Sequence, residues 1–219
     1  MRALRRFAIV VSLLSLCAAA PALAQSSRLY FAGYLGLNVM HDEDFSESTA
    51  GNSGSLGYNN APSFAGALGL RLTPNIRVEG ELTYRNNSAS HMNFANGTTA
   101  RAGGDLRAYM LMLNMYYDFN FNWHNVTPYV TAGVGVANFR GSVSSGAPAL
   151  APSSDGTDTV FAYQAGTGLK YRVSPDMALT GGYRYVGTTD ADIGNYKIHT
   201  GAHEFRLGLE YDLPVDWMK

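Results

Sequence analysis

Charge is scarce in this sequence. Only 15% of its 219 residues are Asp, Glu, Lys or Arg, against about a quarter in an ordinary soluble domain. A disordered chain is rich in charge and poor in aromatics, so the 24 tyrosines and phenylalanines exclude that class. No basic block is present and the net charge is −1, which leaves nucleic acid without an electrostatic footprint. There is one cysteine, Cys17. Past residue 24 no apolar run reaches the length of a spanning helix. What is plentiful instead is glycine, at 24 residues, interleaved with aliphatic and aromatic side chains.

Residues 1–24 read as a secretory signal that is removed. Arg2, Arg5 and Arg6 form its positive start, and Phe7 to Ala20 its apolar stretch. Ala22-Leu23-Ala24 supplies a small-x-small cleavage site. Leu16 in front of Cys17 is too large for a lipoprotein signal. Cleavage leaves 13 basic and 17 acidic residues, a net charge of −4, and no cysteine. The exported protein then depends on packing and backbone pairing, with no disulfide to help.

The remainder alternates with a period of two, the signature of strands. Eight segments are predicted, at 28–40, 63–72, 76–85, 107–119, 128–139, 160–173, 177–186 and 203–213. One face of each is uncharged, as in Leu29, Phe31, Gly33, Leu35, Leu37 and Val39 of the first. The opposite faces hold Arg71, Arg77, Glu79, Glu81, Asp118, Lys170, Arg172, Arg184, Arg206, Glu210 and Asp212. Connections alternate in length. Thr73-Pro74-Asn75 and Ser174-Pro175-Asp176 are tight turns and Phe121 to Thr127 is modest, whereas 41–62, 86–105, 140–159 and 187–202 are long and polar. Short turns on one side and long loops on the other fit an outer-membrane barrel. Four structureless loops of that size do not fit a compact soluble domain. Aromatics near strand ends form two interfacial girdles: Tyr117, Phe119, Tyr171 and Tyr211 at the turn side, and Phe64, Tyr84, Tyr109, Phe161, Tyr185 and Phe205 at the loop side.

Several strings carry a family resemblance. Asn114-Met115-Tyr116-Tyr117-Asp118-Phe119 ends the fourth segment and Thr127-Pro128-Tyr129-Val130-Thr131-Ala132-Gly133 opens the fifth. Phe161-Ala162-Tyr163-Gln164-Ala165-Gly166, Gly182-Tyr183-Arg184-Tyr185 and Glu204 to Tyr211 follow in order. Together they resemble the small outer-membrane barrels of the opacity-protein and surface-antigen group, related to the OmpA-type transmembrane domain. The resemblance implies an all-β, eight-stranded antiparallel up-and-down transmembrane barrel over 25–213, with short periplasmic turns and four long extracellular loops. It implies the outer membrane of a Gram-negative bacterium. Arg206, Gly208, Tyr211 and Leu213 resemble the terminal signal read by the barrel assembly machinery. The sequence departs from that pattern by continuing through Pro214 to Lys219, a short periplasmic tail.

Closure of such a barrel is obligatory, since unpaired backbone groups in lipid cost several kcal/mol each. Eight strands leave an interior just wide enough for side chains to fill. Seven basic and six acidic inward residues predict an ion-paired plug, centred on Arg77, Glu79, Glu81, Arg184, Arg206 and Glu210. Inward glycines, among them Gly133, Gly135, Gly166, Gly168 and Gly208, are expected to make room for arginine side chains.

The chemistry of catalysis is not evident. No serine stands two residues after His41, His91, His124, His199 or His203, the pairing that lipid A deacylases of this size resemble each other in. His41-Asp42-Glu43-Asp44 lacks the spaced ligands and turn glycine of a calcium loop. No cofactor or metal is expected. The leading expectation is a non-enzymatic surface protein whose rigid barrel presents polar loops for adhesion and supports the envelope. Phe45, Tyr58, Phe94 and Tyr196 are the loop aromatics expected to contact a host or cell-surface ligand. Other partners expected are outer-membrane lipid or lipopolysaccharide and the assembly machinery. The alternatives are a soluble periplasmic barrel with a ligand inside, a narrow channel, or a lipid A-modifying enzyme.

Overall fold

The computed structural model describes residues 28–40, 43–47, 53–58, 60–94, 99–103, 105–121, 124–145, 154–189, 191–193, 196–198 and 201–214. The strands in chain order are β1 (Arg28–Met40), β2 (Glu43–Glu47), β3 (Ser53–Tyr58), β4 (Ala61–Arg71), β5 (Ile76–Phe94), β6 (Thr99–Gly103) and β7 (Asp105–Asp118). They continue with β8 (Val126–Ser145), β9 (Ser154–Arg172), β10 (Met177–Thr188), β11 (Ala191–Ile193), β12 (Tyr196–Ile198) and β13 (Gly201–Asp212). Eight of these, β1, β4, β5, β7, β8, β9, β10 and β13, are the predicted segments, and each pairs antiparallel with the next. The ring closes because β1 pairs with β13 on its other edge, from Tyr30 opposite Asp212 to Met40 opposite Ala202.

The register fixes the barrel's shape. From Tyr30 the cross-strand partners run Gly69, Glu79, Asn114, Gly133, Gln164, Val186 and Ala202, and return to β1 at Met40. The circuit arrives ten residues beyond its start, a shear of 10 for eight strands. With a rise of ~3.3 Å per residue and ~4.8 Å between strands, that shear tilts the strands by about 40°. Tyr171 to Phe161 on β9 then spans about 25 Å of height, the thickness of an outer-membrane apolar band.

Alternation decides which face is which. On β1 the even residues Tyr30, Ala32, Tyr34 and Asn38 are buried, and the odd residues Phe31, Leu35 and Leu37 are exposed. The same alternation holds around the ring, with odd residues inward on β4, β5 and β8 and even residues inward on the rest, and outward Leu207 is 71% exposed while inward Glu81 is 0%. Apolar outside and polar inside suits lipid around the barrel, so the alternative of a soluble barrel enclosing a ligand is excluded. The inward face is not wholly polar, however. Met110, Met112, Ala137, Phe139, Val160 and Ala162 are buried too.

The two tight turns share one device. Thr73 Oγ1 accepts from Ile76 N at 2.9 Å, and Ser174 Oγ accepts from Met177 N at 3.1 Å. A backbone bond closes each, Leu72 N to Ile76 O and Val173 N to Met177 O, both 2.9 Å. In the third connection His124 and Asn125 have positive φ, 50° and 64°. Asn tolerates that region readily.

At the other end the ladders run on beyond the predicted segments. The long connections are expected to lack structure, yet β5 continues to Phe94 and pairs there with both β3 and β6. β2 pairs with β3, and β12 pairs with β2 and β11. The physical reason is templating. A barrel strand that leaves the membrane still offers an unpaired backbone edge, and polar residues of modest strand propensity can occupy it.

Candidate functional site

Three layers of side chains fill the lumen. At the turn side Arg71 donates from Nε to Asp212 Oδ1 and from Nη2 to Glu210 Oε2, each at 2.9 Å. Arg77 reaches Glu210 Oε1 at 2.7 Å and Asp118 Oδ1 at 3.2 Å, and Lys170 Nζ donates to Asp118 Oδ2. At the loop side Glu81 accepts from Arg184 Nη1 at 2.7 Å, Arg206 Nη1 at 3.0 Å and Thr83 Oγ1 at 2.6 Å. Glu204 accepts from Arg184 Nε at 2.8 Å and Ser63 Oγ at 3.0 Å, with Arg85 Nη2 at 3.1 Å. Gln164 and Asn114 extend this layer through Arg184 and Glu81.

Between the two lies Glu79, whose carboxylate is held chiefly by phenols. Tyr30 and Tyr34 donate to Oε2 at 2.9 and 2.8 Å, and Tyr116 to Oε1 at 3.0 Å. Arginines cover the same rings. The Arg77 guanidinium stands 3.9 Å from the Tyr116 centroid and that of Arg206 3.4 Å from the Tyr34 centroid, close enough for cation–π attraction. Neutral donors around one carboxylate and cations around the next separate two ion-paired clusters with an aromatic layer.

The six residues predicted as one central network therefore divide. Arg77 and Glu210 belong to the turn-side cluster, Glu81, Arg184 and Arg206 to the loop-side cluster, and Glu79 to the layer between. The lumen tyrosines Tyr30, Tyr34, Tyr116 and Tyr129 are missing from the sequence-based list of inward groups. Parity was the signal for them, since each alternates with an outward apolar neighbour. The inward glycines also serve a different side chain from the one expected. A Cβ on Gly208 would stand 2.3 Å from the Tyr34 ring and one on Gly168 2.5 Å from Tyr129, whereas only Gly166 among these abuts Arg184. Gly133 instead makes room for the Asn114 amide and Gly135 for Met112.

Outside, the aromatic girdles are built of contacting rings. Tyr117 and Phe119 meet edge to face at 5.1 Å on the turn side, and Tyr84 and Tyr109 lie 5.1 Å apart on the loop side. A closed antiparallel barrel of eight strands with this outward band matches one known family. The sequence profile of the outer membrane protein β-barrel domain matches residues 9–212. The chain belongs to this family. As a family member it resides in the Gram-negative outer membrane.

Similar proteins agree on the fold. Outer membrane protein PagN of Salmonella typhimurium is 27% identical over 158 residues, covering 62% of this chain and 64% of PagN. The match thus spans under two thirds of that relative's length. Neisserial surface protein A is similar in structure with a TM-score of 0.53 at 19% identity, covering 86% of this chain and all of that one. The outer membrane protease OmpT of Escherichia coli is similar with a TM-score of 0.54 at 10% identity, over 85% of this chain and 97% of OmpT.

The terminal pattern expected to guide assembly divides between faces. Arg206 is buried in the lumen, Gly208 admits Tyr34, and Tyr211 faces outward. The loop aromatics lie on the extended ladders: Phe45 in β2, Tyr58 in β3, Phe94 at the end of β5 and Tyr196 in β12. Phe45, Gly54 and Phe94 occupy one cross-strand row. Outward His203 sits among aromatics, its Nδ1 2.5 Å from the Tyr183 hydroxyl and its ring 5.3 Å from that of Tyr185. His41 and Asp42, residues 1–24 and the tail beyond Pro214 lie outside the described residues. Among the described residues no group of three or more His, Cys, Asp or Glu could hold a metal ion.

Proposed function

We propose that the protein is a non-enzymatic surface barrel, a plugged and rigid frame that carries a loop-side binding surface to host or neighbouring cells and stiffens the envelope. The observation that carries this reading is the continuity of the ladder: β5 passes from the membrane band to Phe94 and templates β3 and β6. Recognition groups on such an extension inherit the stiffness of the frame, which lowers the ordering cost of binding. Phe45, Tyr58, Phe94 and Tyr196 are the residues proposed to touch a partner. The three lumen layers act as a plug and not as a pore. Export through cleavage after Ala24 and delivery by the assembly machinery through the terminal pattern complete the proposal. The fold alone does not decide catalysis, since OmpT shares it; the aromatic setting of His203 supports a girdle role.

The test is adhesion of cells that display the protein, compared with cells displaying a variant in which all four loop aromatics are Ser. Loss of adhesion with an unchanged heat-modifiable band supports the reading. Unchanged adhesion to a partner that the wild type binds refutes it.

A further inference from the structure

The outward face is uncharged through the whole apolar band. Its charges begin above the loop-side girdle, where Arg107, Arg140 and Asp155 sit on one patch of β7, β8 and β9 and Asp105 holds the next outward position beyond Arg107 on β7. Arg107 and Arg140 are exposed and directly opposite each other across the β7–β8 ladder. Like charges in such a pair repel and weaken a sheet. Neither arginine pairs with Asp155, which stands a row further out, opposite Ser142. The pair lines a recess of about 370 Å³ with Tyr109, Ser142 and Thr157.

Height narrows what fills it. Arg107 follows girdle residue Tyr109 by one outward step, and Arg140 follows Asn138, whose amide donates to Thr159 Oγ1 at 2.8 Å. One outward step of two residues raises a side chain by about 5 Å at the barrel's tilt. Two guanidiniums therefore lie just above the aromatic ring that marks the membrane interface, facing sideways into the outer leaflet. Guanidinium forks match phosphate oxygens in pairs. We infer that Arg107 and Arg140 form a lateral site for a phosphate group of an outer-leaflet glycolipid, with Tyr109 against the lipid's apolar portion and Asp155 placed towards sugar hydroxyls. The inference rests on the outer-membrane location and not on the loop-binding reading, so either can fail alone.

The test uses full-length protein purified from outer membranes into detergent, with lipid retention read by native mass spectrometry. The probes are bisphosphorylated lipid A and the same lipid A stripped of both phosphates. Wild type is expected to hold the phosphorylated form at least about tenfold more tightly, and R107Q/R140Q to lose that preference while keeping the heat-modifiable band. R107K/R140K should keep part of it. Equal retention of the two lipids by wild type overturns the site, as does undiminished preference in the double Gln variant. Displacement of the lipid by millimolar inorganic phosphate also overturns it, because the site would then be one for free anions.

Discussion

Glu79 and Glu81 are two residues apart on β5, equally buried, and held by different chemistry, so the same substitution at each should cost different amounts. Glu81 receives two guanidiniums and is the carboxylate within hydrogen-bond reach of Arg206. Glu81→Gln leaves the Arg206 charge, 7% exposed, without its acid, while Arg184 keeps Glu204. Breaking a buried pair from one side costs about 3–5 kcal/mol. Glu79→Gln keeps an acceptor oxygen for Tyr30 and Tyr34, turns an N–H towards the Tyr116 hydroxyl, and loses the charge-assisted part of those bonds with the 4.0 Å contact to Arg77, about 1–2 kcal/mol. Urea unfolding of the barrel in phospholipid vesicles, followed by the fraction that keeps its unheated gel mobility, measures both. Glu81→Gln is expected to destabilise by at least about 2 kcal/mol more than Glu79→Gln, and adding Arg206→Met should recover most of the difference. Equal losses, or a loss below about 1 kcal/mol at Glu81, would refute the division of the lumen into ionic and phenolic layers.

Three further outcomes follow from contacts already described. Gly208→Ala places a Cβ 2.3 Å from the Tyr34 ring and should cost about 1–3 kcal/mol in the same unfolding assay, whereas Gly66→Ala, with nothing within 4 Å, should be nearly neutral. Thr73→Ala removes the acceptor for Ile76 N and should cost about 1 kcal/mol, with the barrel still heat-modifiable. In planar bilayers wild type should show no steady open level, while Tyr30→Ala with Tyr34→Ala and Tyr116→Ala should open one by removing the layer around Glu79; a wild-type open level would contradict the plug.

The barrel itself was largely legible, because lipid imposes one rule on every strand: uncharged side chains outward at every second position. Arg28–Met40 shows this cleanly, its bounds and its outward face both readable from alternation alone. The lumen was legible in sign but not in partnership. Inward parity gathers arginines and glutamates, but which pairs meet depends on a shear of 10 that no single strand encodes. That is why Arg77 meets Glu210 on a distant strand at 2.7 Å and Glu79 on its own strand only at 4.0 Å. The lumen tyrosines were obscured because aromatics near strand ends suggest girdles, and Tyr116 and Tyr117 are adjacent yet face opposite ways. The loop-side ladders were hidden for another reason. Strings such as Ser53–Tyr58 have loop composition, and become strands because β5 already stands beside them.

The central claim is a closed barrel with its long connections on the cell surface. Protease digestion of intact cells, followed by gel mobility of the membrane fraction with and without boiling, tests it most directly. The account predicts cleavage confined to the loop side, leaving a membrane-embedded core that migrates differently once boiled. Recovery of an uncleaved protein in the soluble fraction, with the same mobility before and after boiling, would contradict it.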